Sequence, residues 1–460
     1  MIIIALAVVA VLCVIACVIF EERGRPEIVV FVTLVVVVFD ALVYPDGGTE
    51  PAGILRPTIF GHDYRAADLV IVLALLARLL VRGLPRRVTG PGLLWFAFFA
   101  MFTIGVPLGF ANGHASVLVI FQEKFVLETG GMAILMAGVP LSSVTSPAFI
   151  GRAAWTLGLM SLVPILAAFA KHAISFPVLP QAGFGTSLGS DSATVLLSLA
   201  FLLLAVEVCH PTPRFGVMAW CGLMIVAGIV TGQRAALIGL VVTLACTLFV
   251  MSGRPWRRRS RVRLSQLLPV LALVAIPLGT IAIINARINP TSATVPVVSD
   301  LSGSFTGVGK TQSADIRLNL WSFGRHLAEE RPAFGWGLGQ DFSIFQANGS
   351  EVPLTGGDFH DIAIDLVVTT GVVGFALFSL ALASSLWSAF VTWRRARSSA
   401  IAAVALASGI LLVQLVSKGL FESITQQYRF TVILGMLIGI IAQARNSEVA
   451  EAEFMESIWI

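Results

Sequence analysis

Charge is scarce in this chain of 460 residues: Asp, Glu, Lys and Arg together make up 12% of it. A mean hydropathy of +0.91 and a 57% hydrophobic content exceed what a soluble domain needs to fill its core, so water is not its main solvent. The five cysteines (Cys13, Cys17, Cys209, Cys221 and Cys246) show neither a paired extracellular framework nor metal-ligand spacing, and read as small buried hydrophobes. No HExxH or Cys/His cluster points to zinc, so no metal or other cofactor is expected. The net charge of +4, from 30 basic and 26 acidic residues, is too mild for a nucleic-acid binder. The first apolar run lacks both a preceding basic region and a small-residue cleavage site, and is expected to be a retained helix. No internal repeat or low-complexity tract is visible.

What the chain has instead is apolar runs, several of which reach the roughly 20 residues needed to cross about 30 Å of hydrocarbon as helices. Spans are expected at 2–20, 26–44, 66–82, 92–111, 117–137, 150–170, 191–206, 215–232, 235–251, 267–285, 362–390, 400–417 and 430–445. The fold class is therefore an all-α polytopic transmembrane bundle of about 12 or 13 spans. Basic residues gather at Arg23/Arg25, Arg82/Arg86/Arg87, Arg254 to Arg263 and Arg394/Arg395/Arg397, between alternate pairs of spans. The positive-inside rule makes these loops cytoplasmic and puts the N-terminus and the long segment 286–361 outside. The expected organisation is N-terminal helices over 1–214, further membrane helices over 215–285, the external loop over 286–361, C-terminal helices over 362–445 and a cytoplasmic tail over 446–460.

The long loop is where function is expected. Its first half, Asn289 to Gln312, has no sustained helical period. In its second half Ile316, Leu320, Phe323 and Leu327 recur at helical spacing before Pro332, predicting an amphipathic helix on the bundle or in the interface. Gly303 to Thr311 looks like a phosphate loop, but Ser304 stands where its first glycine is required and no strand precedes it.

Few residues in this loop or at the outer membrane boundary suit chemistry. Arg234, in Gly232-Gln-Arg-Ala-Ala236 between two closely joined spans, is either a snorkelling side chain or an anion clamp. Arg317 and Arg331 are fourteen residues apart, which returns them to within roughly 40° on a helix. They form either a solvated or lipid-headgroup strip or a binding face. Phe334-Gly-Trp-Gly-Leu-Gly339 permits a tight turn or close approach to a ligand. In Gly356-Gly-Asp-Phe-His-Asp361, Asp358 and Asp361 have capping-box spacing, which puts His360 in the first turn of the next helix. There the helix dipole favours a neutral imidazole able to accept a proton, although a capped helix start with an incidental histidine fits the same residues.

Gly232-Gln-Arg-Ala-Ala236, Arg317-Leu-Asn-Leu-Trp321, Pro332-Ala-Phe-Gly-Trp-Gly-Leu-Gly339 and Phe359-His-Asp361, in that order and around a large external loop, resemble the O-antigen ligase and O-antigen polymerase superfamily. The resemblance covers roughly residues 215–390. It implies a bundle like that of GT-C-type glycosyltransferases, and an inverting, metal-independent transfer of a glycan from undecaprenyl pyrophosphate to an acceptor hydroxyl. The partners it implies are that lipid-linked donor, an acceptor glycan or glycolipid, and membrane lipid. By the same resemblance Arg234 and Arg317 fall on the donor pyrophosphate, with Arg331 as a further substrate-binding cation. His360 falls on the acceptor hydroxyl, and Asp361 either orients the imidazole or only caps the helix. Gln233 and Asp361 stand where many relatives have Ser and Asn, which leaves the subgroup open. The implied place is the bacterial cytoplasmic membrane, with the site on its external or periplasmic face. A lipid-linked glycan flippase or other secondary transporter is the alternative, for which Asp40, Lys124 and Glu128 would be coupling charges.

Overall fold

A computed structural model describes residues 13–43, 58–59, 62–63, 66–83, 90–174, 190–210, 212–230, 242–243, 246, 312–345, 351–355, 359–420 and 428–458. Arg234, Asp358, the phosphate-loop look-alike at Gly303 to Thr311, the basic run at Arg254 to Arg263 and nearly all of the spans expected at 235–251 and 267–285 lie outside the described residues.

The described chain is a helical bundle, as expected of a backbone whose polar groups must be satisfied without water. The helices are α1 (13–22), α2 (Pro26–Val43), α3 (Ala66–Arg82), α4 (Gly90–Ala111), α5 (Ser116–Ala137), α6 (Leu141–Val144), α7 (Pro147–Ile174), α8 (Ser190–Val208), α9 (Phe215–Val230), α10 (Gln312–Glu330), α11 (Ile362–Arg395), α12 (Ser399–Gly419) and α13 (Tyr428–Ile458). Among the described residues, α4, α11, α12 and Arg429–Ala450 of α13 are long and apolar enough to cross a membrane. Shorter apolar helices occur at Pro26–Val38, Thr194–Val208 and Phe215–Gly228. Two antiparallel hairpins interrupt the helices, β1 (Thr58–Ile59) with β2 (His62–Asp63), and β3 (Asp341–Phe345) with β4 (Glu351–Thr355), where Ser343 faces Pro353. The helix α13 runs on to Ile458 through the residues expected to be a tail.

The chain forms two compact units. The first holds residues 1–40, 49–146 and 320–460. Its core centres on Trp95, Phe98, Phe102 and Phe125 of α4 and α5, with Phe378 of α11 edge-on to Trp95 at 5.7 Å. Trp95 Nε1 donates to Ser385 Oγ at 2.9 Å, so the buried indole keeps a partner. The helices α5 and α13 approach at Gly435 and Gly439, which face the backbone at Thr129 and Ala133 where a Cβ would not fit. Glu21 is 1% exposed and binds Arg78 at 3.1 Å and Arg82 at 2.8 Å, joining the end of α1 to α3. Lys124 and Glu128 each find a partner on another helix, Lys124 with Asp68 at 3.7 Å and Glu128 accepting from Thr431.

The second unit holds residues 41–48 and 147–319. In it α7, α8 and α9 pack together, with Gly158 against Trp220, and Trp155 edge-on to Trp220 at 6.5 Å. Glu207 and Arg214 pair at 2.6 Å, and Arg214 also donates to the Pro147 carbonyl at 2.8 Å, tying the turn after α8 to the start of α7. Burial pushes the Cys209 thiol up to about 11 in that turn, in keeping with an inert cysteine.

Candidate functional site

The helix expected around Ile316 to Leu327 is α10, and the periodicity that predicts it also sets its buried face. Leu320 and Leu327 are buried, and Phe323 packs on Phe342 of β3 and on Phe359, with ring centres 5.9 and 6.5 Å away. Gly324 lets α10 settle onto the start of α11, since a Cβ there would stand 2.4 Å from Ile364 and 2.9 Å from Phe359. Arg317 is half-buried on α10. His326 is exposed and meets Glu330 one turn on at 3.4 Å.

Arg331 follows the end of α10. Its guanidinium donates to Asn112 Oδ1 at 2.6 Å and lies 4.1 Å over the Trp336 ring, a cation–π contact that fixes an otherwise exposed side chain. Asn112 belongs to the turn between α4 and α5 and also donates to the Trp336 carbonyl at 2.7 Å. His114 of the same turn places Nδ1 2.7 Å from the Leu338 carbonyl, which requires the proton on Nδ1 for a hydrogen bond. Arg331 is therefore tied to the short turn Asn112-Gly113-His114.

The glycines of Gly335-Trp-Gly-Leu-Gly339 meet backbone. Trp336 N and Gly337 N donate to the Val368 and Thr369 carbonyls at 2.8 and 3.0 Å. Leu338 N donates to the Gly105 carbonyl at 2.9 Å, and Gly339 N to Gln122 Oε1 at 2.7 Å. The three glycines have φ of 68°, 85° and 81°, conformations that L side chains rarely adopt. A Cβ on Gly337 would stand 2.4 Å from Gly109 N, and one on Gly109 would stand 2.1 Å from the Leu338 carbonyl oxygen. Gly105 and Gly109 form a small-xxx-small pair on α4, and this close approach is what that spacing permits.

The segment also repairs a break in α11. Gly371 has φ 70° and ψ −175° in mid-helix, which interrupts the hydrogen-bond ladder. Val368 and Thr369 supply carbonyls to the glycine segment, while Val372 N and Val373 N donate to the Pro332 and Ala333 carbonyls at 2.7 and 3.3 Å. Backbone groups released by the break are satisfied by residues 332–337, as a break in an apolar bundle demands. The chain just after α10 and the first part of α11 are thereby one hydrogen-bonded piece.

That first part carries His360 and Asp361. The helix begins at Ile362, and its cap is Asp361, whose Oδ1 accepts from Ala363 N at 2.8 Å and Ile364 N at 3.1 Å. The cap is thus three residues later than an Asp358 cap would put it, and His360 stands one residue before the cap instead of in the first turn. Among the described residues His360 is the single non-glycine with positive φ, at 53°. Asp365, 2% exposed, reaches back so that its Oδ1 accepts from Phe359 N at 2.8 Å. The half-buried imidazole therefore sits on a backbone clasped on both sides by carboxylates.

The structure joins His360 to Asp361 at one helix start and ties Arg331 to the α4–α5 turn; Arg317 lies on the part of α10 that belongs to the second unit. Sequence reasoning missed Asn112, His114, Gln122, Gly371 and Asp365. The spacing of Gly105 and Gly109 was the available signal for the inserted segment. Among the described residues no three His, Cys, Asp or Glu side chains group as metal ligands.

Residues 219–379, about a third of the chain, match the family model described as O-antigen ligase. This stretch contains the glycine segment, the Gly371 break and the Phe359-His-Asp361 helix start, and it supports the resemblance to the O-antigen ligase and polymerase superfamily. No curated protein matches the chain at a significant level.

Proposed function

From an O-antigen ligase match that spans the His360 helix start, we propose that this chain is a glycosyltransferase of envelope polysaccharide assembly. It moves a glycan from undecaprenyl pyrophosphate to an acceptor hydroxyl at the external face of the cytoplasmic membrane. The observation that carries the reading is the left-handed, doubly clasped backbone of His360 inside the matched region. A non-glycine held in that conformation is a strain that surrounding structure must over-determine, and such positions cluster at functional sites.

In the proposed reaction the acceptor hydroxyl gives its proton to the His360 imidazole as its oxygen attacks the anomeric carbon. The bond from that carbon to the pyrophosphate oxygen breaks on the opposite side, so the configuration inverts and undecaprenyl pyrophosphate leaves. Negative charge develops on the leaving pyrophosphate, and Arg234 and Arg317 are the cations assigned to it. Arg331, held by Asn112 and Trp336, adds a cation that has already lost its rotamer freedom. Arginine stabilisation of the leaving group makes a metal ion unnecessary in this scheme.

The test is transfer by purified protein from a synthetic undecaprenyl-pyrophosphate oligosaccharide in EDTA, with product linkage read by NMR. A new glycosidic bond of inverted configuration supports the reading, and its size ladder separates polymerase from single-transfer ligase. Translocation of the lipid-linked donor in vesicles without any new glycosidic bond would support a flippase instead.

A further inference from the structure

The most informative group that this mechanism leaves unused is Asp365, a carboxylate 2% exposed in the first turn of α11. Its backbone amide donates to the Asp361 carbonyl at 2.9 Å, as an ordinary helical residue does. Its side chain turns back past the helix start, and Oδ1 accepts from the Phe359 amide at 2.8 Å. An amide two residues before the cap has no partner within the helix ladder. Phe359 itself is fully buried, its ring tilted against that of Phe323 and close against Gly324 of α10.

Between the two anchored points, Phe359 N and the Asp361 cap, lies one residue. That residue is His360, where the backbone turns with φ at 53°. An L residue enters this region at a steric cost of the same order as the gain from one charge-assisted hydrogen bond to a backbone amide. Asp361 fixes the helix side of the reversal. Asp365 fixes the loop side.

We propose that Asp365 is a positioning residue for the His360 general base: through the Phe359 amide it holds His360 in the left-handed conformation from which the imidazole meets the acceptor. This rests on the transferase reading above. Asp365 touches no substrate in this account, and an amide oxygen at the same place would serve as acceptor. An orientational role of this kind lowers turnover while leaving donor binding, which is assigned to arginines elsewhere, nearly unchanged.

The experiment compares wild type, Asp365→Ala and Asp365→Asn, each purified as a monodisperse full-length protein. Transfer kinetics are measured on each, together with hydrogen exchange at the Phe359 amide. Asp365→Ala is expected to lower kcat at least 30-fold with donor KM within threefold, and to speed Phe359 exchange at least 10-fold while amides beyond Gly371 keep their protection. Asp365→Asn is expected to recover at least 10-fold of the lost kcat and to restore the protection. Fast Phe359 exchange with unchanged kcat would overturn the proposal, as would an Asn variant no better than Ala, which would make the charge the operative feature. A KM effect alone would also overturn it. If the wild type joins no glycan across the donor and acceptor panel, the transferase reading itself fails and Asp365 reverts to a helix-start clasp, whose exchange signature is still read directly.

Discussion

Two places in the first unit use carboxylates in opposite ways. Where α1 meets α3, the buried Glu21 takes two guanidinium groups, Arg78 and Arg82. Before α11, Asp361 and Asp365 accept hydrogen bonds from backbone amides. The first arrangement neutralises charge and staples two helices; a carboxylate that satisfies two cations is occupied. The second fixes the path of a short stretch of chain and, with it, the backbone of a half-buried histidine. Charge pairing inside a bundle is an expense of membrane folding, whereas carboxylates aimed at amides shape a site.

The second place depends most on the glycine segment that supports it. Gly337→Ala puts a Cβ 2.4 Å from Gly109 N at φ 85°, so both overlap and a left-handed penalty apply. Loss of about 3 kcal/mol or more is expected, seen as poor recovery of monodisperse protein, and a Tm like wild type would remove the inserted segment from the account. Next is Arg78→Leu, which leaves a buried carboxylate with half its partners. A loss of about 3–5 kcal/mol is expected, and the double variant with Glu21→Gln should regain much of it, because removing both charges costs less than stranding one. Transfer by the double variant should stay near wild type, which sharpens the distinction between the two places. Asn112→Ala removes one bond to Arg331 and one to the Trp336 carbonyl, and is expected to lower stability by about 1–3 kcal/mol by thermal unfolding in detergent. The smallest effect is on Cys209: with its thiol pushed up to about 11, alkylation at pH 8 should be more than tenfold slower than that of a free thiol in the denatured chain.

Much of this architecture was legible as apolar length. Residues 26–44, 66–82, 92–111, 117–137, 362–390 and 400–417 fall on helices within a few positions, because in hydrocarbon only the helix satisfies every amide. The buried face of α10 was legible too, from the spacing of Leu320, Phe323 and Leu327. The β3–β4 hairpin was not, since Pro353 reads as a strand breaker and is tolerated here in a two-stranded edge. Residues 446–458 lose hydropathy and read as a tail, yet Ala, Glu and Met propagate a helix without an apolar face requirement. Asp358 and Asp361 offer the same cap chemistry three residues apart, so local pattern does not choose between them. In the structure the cap is Asp361, and Asp365 accepts from the Phe359 amide just before it. The role of Gly335 to Gly339 was half legible: the need for close approach was plain from three alternate glycines, while the partner, the backbone of α4 and of the broken α11, is a tertiary fact.

The role of His360 as general base is decided by single-turnover glycan transfer by His360→Ala and His360→Gln beside wild type, each verified as folded by a Tm within a few degrees. The account predicts a loss of at least 10³-fold in the chemical step for both variants, with donor affinity little changed. Transfer at the wild-type rate by a folded His360→Ala protein would contradict it.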